Sequence, residues 1–221
     1  MAKATEQVIE IKPVELSTVT VRVRGTSPLI VHKWSAKAKK MMLDAQTGET
    51  KTKTREKKNP VADFIGSAYW LTEEPTEGTE KAFIDAVKAG ARWGFPAAAF
   101  KIGACMAASR NELGIKTTVL RGAFFIEGEG ADQCVEIQGC IPTMREDIVR
   151  VGGMTKTADL RYRAQFDNWY ADLKIMFNKN GPVSLEQIVN LINLAGMCCG
   201  VGEWRPEKDG SFGMYTVEAM S

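Results

Sequence analysis

Ser17-Thr18-Val19-Thr20-Val21-Arg22-Val23-Arg24 alternates without interruption and runs straight into Gly25-Thr26-Ser27-Pro28-Leu29-Ile30. Successive side chains of a strand point to opposite faces, so Val19, Val21 and Val23 share one side and Thr18, Thr20, Arg22 and Arg24 the other. This is the pattern of a half-buried strand, and the Gly-Thr-Ser-Pro cluster ends it in a turn or bulge. The fold is decided by which later segments return to pair with it.

Working outward, residues 35–45 read as a short helix with Ser35 as its N-cap. Residues 46–59 are a polar tract with no apolar period. Asn59-Pro60 then restarts a helix to residue 71, with Asn59 capping and Pro60 at the first helical position. Glu73, Glu74, Glu77 and Glu80 make an acidic, solvated loop. Phe95-Pro96 opens a helix over 97–112, apolar on nearly every side as far as Ala108 and therefore buried, which Leu113-Gly114 stops.

Residues 117–127 and 133–141 read as two strands joined by a Gly-rich hairpin turn at 128–130. Residues 142–162, with Gly152-Gly153, are a long excursion that returns in 163–178. There Trp169, Ala171, Leu173, Ile175 and Phe177 alternate with Tyr170, Asp172, Lys174, Met176 and Asn178. Ser184-Leu185-Glu186-Gln187 is a capping box; it opens a helix with Leu185, Ile188, Val189, Ile192 and Ala195 on one side. The chain closes with Gly200-Val-Gly-Glu-Trp-Arg-Pro-Glu-Lys-Asp-Gly-Ser-Phe-Gly213 and an alternating stretch over 214–218.

With the insertions set aside, the order is strand, helix, strand, strand, helix, strand. This predicts an α+β fold with the split β-α-β arrangement of ferredoxin-like and RNA-recognition-motif domains: two helices on one face of a four-stranded antiparallel sheet, the other face free. At 221 residues the chain reads as one domain over 1–221, with insertions at about 32–95 and 142–162.

A chain that is 44% apolar and 25% charged builds a real core, which excludes disordered and fibrous classes. Net charge is only +2, but nine Lys or Arg stand against three acids between His32 and Lys58. Polyanion binding depends on such a patch rather than on the average. The five cysteines, Cys105, Cys134, Cys140, Cys198 and Cys199, lack metal-type spacing, and there is one histidine, so no structural zinc is expected. Cys105, Cys198 and Cys199 read as buried thiols in a reducing cytoplasm. No signal core and no run of eighteen apolar residues occurs, so a soluble, cytoplasmic protein without a membrane partner is expected. The glycines of the tail follow a helix instead of opening one, and no Gly-x-x-x-x-Gly-Lys-Ser/Thr occurs; no nucleotide cofactor, and no cofactor of any kind, is expected.

Three segments carry a resemblance. The first strand with Gly25-Thr26-Ser27-Pro28-Leu29-Ile30, the helix opening Phe95-Pro96-Ala97-Ala98-Ala99-Phe100-Lys101, and the glycine-rich 200–213 loop resemble, in this order, elements of the RAMP superfamily of CRISPR-associated proteins, above all the backbone subunits that polymerise along a guide RNA. Alanines stand where that family's helix opening carries serines. The chain also resembles bacteriophage proteins with the same tail motif, which implies the cytoplasm of an infected host cell. The resemblance implies a role for Lys101 at its helix opening and casts the 142–162 excursion as a thumb between successive bases.

Binding an unpaired polynucleotide requires cations, flat side chains for stacking, and tight backbone turns that phosphates can approach. Lys51, Lys53, Arg55, Lys57 and Lys58 form a basic arm. Arg145, Arg150, Lys156, Arg161 and Arg163 populate or border the excursion. Gly200, Gly202, Gly210 and Gly213 surround Arg205, Lys208 and Trp204, and Trp34 follows the first strand. The expected function is non-catalytic, largely sequence-independent binding of single-stranded RNA or DNA by a homo-oligomer or filament. Alternatives stay open. His32, the sole histidine, lies in the region where RAMP endoribonucleases carry a catalytic histidine and would serve as acid or base in a metal-independent RNA cut; Asp63 and Asp132 form no cluster for a metal. The protein can also be read as an interaction module that mimics or blocks a host defence complex, or as a virion component.

Overall fold

The computed structural model describes residues 12–34, 36–48, 57–151 and 157–218. In chain order the strands and helices are β1 (Leu16–Gly25), β2 (Leu29–Val31), α1 (Ala36–Gln46), α2 (Pro60–Ser67), β3 (Tyr69–Trp70), α3 (Glu80–Lys88), β4 (Trp93–Pro96), α4 (Ala97–Arg110), α5 (Thr117–Ala123), β5 (Phe124–Glu127), β6 (Cys134–Ile137), β7 (Thr143–Val151), β8 (Thr157–Phe166), β9 (Tyr170–Asn178), α6 (Leu185–Cys198) and β10 (Tyr215–Val217). The class is mixed α+β with antiparallel sheets, as expected.

The central sheet has the order β10-β1-β9-β5. Strand β1 pairs along its length with β9, from Leu16 opposite Asn178 to Arg24 opposite Tyr170, and its far end pairs with β10. Val21, Val23, Ala171, Leu173 and Ile175 are fully buried on the shared inner face, in one core with Phe100 and Ala104 of α4 and Ile188 and Leu191 of α6. Helices α4 and α6 meet through small residues: Ala107, Ala195 and Cys199 are buried together, and a Cβ at Gly103 would lie 3.5 Å from that of Ala195. A closer approach occurs at Gly196, where a Cβ would meet the Tyr215 carbonyl oxygen at 1.9 Å. Only glycine lets α6 lie this close to β10.

The outer face of the sheet is closed by its own charges. Arg22 donates two hydrogen bonds to the Asp172 carboxylate at 2.7 and 2.8 Å, and its guanidinium stacks 4.4 Å from the centre of the Tyr170 ring. Arg24 pairs with Glu218, and Lys174 with Glu127 at 2.6 Å. Every cation named on this face has an adjacent anion.

Local signals in the sequence hold. Asn59 Oδ1 accepts from the backbone N–H groups of Val61 and Ala62, and Ser184 and Gln187 form a reciprocal capping box. Helix α4 begins after Pro96, and Leu113 N–H returns to the Ala108 carbonyl where Glu112 takes a positive φ of 51°. The N-cap expected at Ser35 lies outside the described residues.

Four expectations are corrected. Residues 117–127 are not one strand: 117–123 form α5, because Leu120 and Ala123 are buried at helical spacing, and only Phe124–Glu127 is extended. Segment β6 does not pair with β5. It pairs with β4, Phe95 opposite Val135, in a small sheet of order β3-β4-β6, while β5 pairs with β9. The helix after Pro60 ends at Ser67, since Tyr69 and Trp70 pair with Gly94 and Trp93. The return over 163–178 is not one segment but the end of β8 and the whole of β9. Strands β7 and β8 form a long antiparallel hairpin, Arg145 opposite Arg163 and Ile148 opposite Leu160, and the alternation over 163–178 is broken into β8 and β9 by a bend whose Trp169 Nε1 donates to the Ser27 carbonyl at 2.9 Å.

Candidate functional site

Segments far apart in sequence converge beside β2. The glycine-rich loop lies along it: Glu203 N–H donates to the Ile30 carbonyl at 2.9 Å and Gly213 N–H to the Pro28 carbonyl at 2.7 Å. The root of the β7–β8 hairpin reaches the loop through Arg145, whose guanidinium carbon sits 4.8 Å from the centre of the Phe212 ring, and through Arg163, 3.8 Å from a Glu203 oxygen. Lys58, at the end of the basic arm, contacts the same hairpin. Lys58 Nζ bonds the Asp159 carboxylate at 3.0 Å and the Leu160 carbonyl, and it lies over the Tyr162 ring. Lys58 and the glycine-rich loop thus each contact the β7–β8 hairpin, Lys58 at Asp159 and Leu160 and the loop at Arg145 and Arg163. Lys51, Lys53, Arg55 and Lys156 lie outside the described residues.

The expected cations differ in what they can offer. Arg163 is 2% exposed, and its Nη1 donates to Asp147 at 3.1 Å. A buried guanidinium bound to a buried carboxylate is a structural element, and Arg163 is corrected from a solvent-facing contact to a strut of the hairpin root. Arg145 also bonds Asp147, at 2.8 Å, and Gln165 at 2.9 Å. Arg161 lies 3.9 Å from Asp159. Lys101 faces elsewhere: its ammonium donates to the Arg121 carbonyl at 2.7 Å and sits 3.9 Å from the centre of the Phe125 ring, and partial burial lowers its pKa. The exposed Lys57, Arg150 and Lys208 have no ion pair with another described residue. Trp204 is 45% exposed and Trp34 58%.

The glycines of the loop serve the loop itself. Gly200, Gly202 and Gly213 all have positive φ. A Cβ at Gly213 would fall 1.7 Å from the Val201 carbonyl oxygen, and one at Gly210 1.7 Å from that of Trp204. These contacts fold the chain back on itself, so the tight turns expected to receive phosphates are filled by protein backbone. Arg205 is likewise held inside, donating to Glu207 at 2.9 Å and to the Gly202 carbonyl at 3.0 Å.

Beneath the loop lies a cavity of about 250 Å³. Its lining includes the apolar Phe95 of β4 with Ala99 and Ile102 of α4, and the polar His32, Tyr69 and Glu203. Burial, with the charge of Arg163, lowers the His32 pKa below its ordinary 6.5, and Nδ1 is buried without a hydrogen-bond partner among the described residues. His32 is thus held neutral. Tyr69 is pushed up by burial and by the nearby Cys134 and Asp132, so its hydroxyl keeps its proton. Glu207 is paired with Arg205 at 2.8 Å and lies 3.6 Å from Arg110, whereas among the described residues Glu203 has Arg163 alone.

Tyr69, Glu203, Asp147 and Phe212 were not anticipated from sequence. Glu203 and Glu207 flank Arg205 visibly in the chain, but nothing local marks Tyr69, which arrives through the pairing of β3 with β4. Cys105, Cys134 and Cys199 are buried and Cys198 half-buried, all as free thiols, with burial pushing Cys134 up to about 11. Among the described residues no group of His, Cys, Asp and Glu has the arrangement of a metal site, and no helix is long and apolar enough to cross a membrane. Compared with models of known families and with curated proteins, the chain matches none.

Proposed function

We propose that this chain binds single-stranded nucleic acid without cleaving it, along the side formed by the end of the basic arm, the β7–β8 hairpin and the glycine-rich loop, and that it does so as a self-associating array. The observation that carries this reading is the convergence of the three elements: Lys58 on the hairpin, and Arg145 and Arg163 on the loop. Lys57, Arg150 and Lys208 have no ion pair among the described residues. The exposed pairs, such as Lys58 with Asp159, are each worth only about 0–1 kcal/mol, so a phosphate can take the place of the carboxylate. Trp204 is an exposed stacking surface on the loop.

The strand order β10-β1-β9-β5, with α4 between β1 and β5 and α6 between β9 and β10, supports the ferredoxin-like reading of the core and with it the likeness to RAMP proteins. A projecting hairpin in the second insertion fits the thumb which that likeness implies. The self-paired outer sheet face argues for the loop side as the binding track.

The test is fluorescence anisotropy of labelled RNA and DNA single strands, with duplex controls, at two salt concentrations. Binding that weakens steeply with salt, with log affinity falling in proportion to log salt, is expected. Absent or salt-independent binding overturns the proposal.

A second reading keeps one observation of its own. His32 lines the cavity as a neutral imidazole, the protonation state a general base needs. Incubation of labelled RNA in EDTA with the native protein and with His32→Ala separates it: cleavage lost in the variant supports a ribonuclease, and intact RNA with native protein removes it.

A further inference from the structure

We infer that the cavity beneath the glycine-rich loop is a pocket for one unstacked nucleobase, and that Glu203 selects guanine by accepting from its adjacent N–H donors. The inference rests on the single-strand-binding reading and adds a base preference to what is otherwise backbone recognition.

Part of its lining is apolar. Phe95, Ala99 and Ile102 contribute to it, and Ile102 is a large apolar side chain left 58% exposed. A flat heterocycle can cover apolar side chains with its face and present its polar edge to polar lining groups. A volume of about 250 Å³ lies below the range of about 300–1,000 Å³ that houses larger ligands, which suits a base without its sugar and phosphate.

The charges of the pocket exclude phosphate. Two carboxylates, Glu203 and Glu207, line it, and the Arg205 guanidinium is spent on Glu207 and the Gly202 carbonyl. Glu203 differs from Glu207. Its cationic neighbour among the described residues, Arg163, stands at 3.8 Å, beyond hydrogen-bond range, so the oxygens of Glu203 keep their accepting capacity. A carboxylate with two free oxygens matches two parallel donors, and among the bases guanine presents an imino and an amino N–H side by side. Uracil and thymine place carbonyl oxygens on both sides of a single N–H and would set one against the carboxylate. Tyr69 and the neutral His32 leave a hydroxyl and an imidazole nitrogen for the remaining base edge.

The experiment compares four labelled DNA strands of equal length, with repeats of TG, TA, TC or T alone, by anisotropy at one salt concentration in a lithium buffer that suppresses quadruplexes. Wild-type protein is expected to bind the TG strand about tenfold more tightly than the T strand. In Glu203→Gln, which offers one acceptor and one donor in place of two acceptors, that ratio falls to about one. Ala99→Leu, which fills the pocket from its apolar lining, removes the preference without touching a charge and decides the matter if Glu203→Gln does not fold. Equal affinities for all four strands overturn the pocket while leaving single-strand binding standing. A preference that survives both variants places selection elsewhere and also overturns it. Failure to bind any strand removes both proposals together.

Discussion

The guanidinium carbon of Arg145 lies 4.8 Å from the centre of the Phe212 ring, a contact that ties the β7–β8 hairpin to the glycine-rich loop. A double-mutant cycle with Arg145→Met and Phe212→Leu, read by urea unfolding, is expected to give a coupling energy of about 0.5–1 kcal/mol. A coupling of zero would show the hairpin and loop to be energetically independent.

Arg163 and Asp147 give a sharper expectation. Removing a buried guanidinium strands its carboxylate, so Arg163→Ala should lower stability by about 3–5 kcal/mol, softened if Arg145 alone can satisfy Asp147. Lys208→Ala, on an exposed residue, should leave the urea midpoint nearly unchanged. If Arg163 were instead a phosphate ligand, its loss would appear in affinity at unchanged stability.

Glycines 114 and 213 share a positive φ, 72° and 63°, but not their surroundings. Nothing lies within 4 Å of a Cβ built on Gly114, whereas one on Gly213 meets the Val201 oxygen at 1.7 Å. Gly114→Ala should cost about 1 kcal/mol, and thus lower Tm by roughly 2–4 °C. Gly213→Ala should lower it well beyond that or abolish a cooperative transition, as calorimetry would report.

His32 sets a pH dependence. Its folded pKa lies below 6.5, so as pH falls the unfolded chain takes up the proton first. Stability should therefore decline from near pH 6.5 down to the folded value, with a slope of at most about 1.4 kcal/mol per pH unit, and this contribution should level off below it. Urea midpoints over about pH 5 to 8 should lose that slope in His32→Gln.

For the exposed cations the relevant quantity is the salt slope. Arg150→Ala and Lys208→Ala should each reduce the slope of log affinity against log salt by about one and weaken all single strands alike. Unchanged slopes in both would take the hairpin tip and the loop out of the binding track.

What the sequence disclosed followed from short-range physics. The Asn59 cap, the Ser184–Gln187 box and the alternation of Val19, Val21 and Val23 are each settled within a few residues, and each is present. Pairing was less legible. The apolar run Phe124-Phe125-Ile126 is compatible with either neighbour, and its partner was chosen by β9, while Val135 and Ile137 were claimed by Phe95 and Trp93. The alternation from Trp169 to Asn178 gave no sign of the bend before it, where the buried positions shift from Ala164 and Phe166 to Trp169 and Ala171. At the candidate site the glycine cluster and its cations were visible, but that the glycines accommodate Val201 and Trp204 depends on how the loop closes on itself. Likewise Arg163 is one arginine among several until β7 brings Asp147 to it.

The pairing of Leu16 with Asn178 and of Val23 with Val217 has a consequence for biosynthesis. As the chain leaves the ribosome, β1 presents a stripe of valines and finds no neighbour on either edge until the long segment between Gly25 and Tyr170 has been translated. Closure of this sheet is therefore a late event, and the nascent polypeptide must keep an adhesive segment from mispairing throughout that interval.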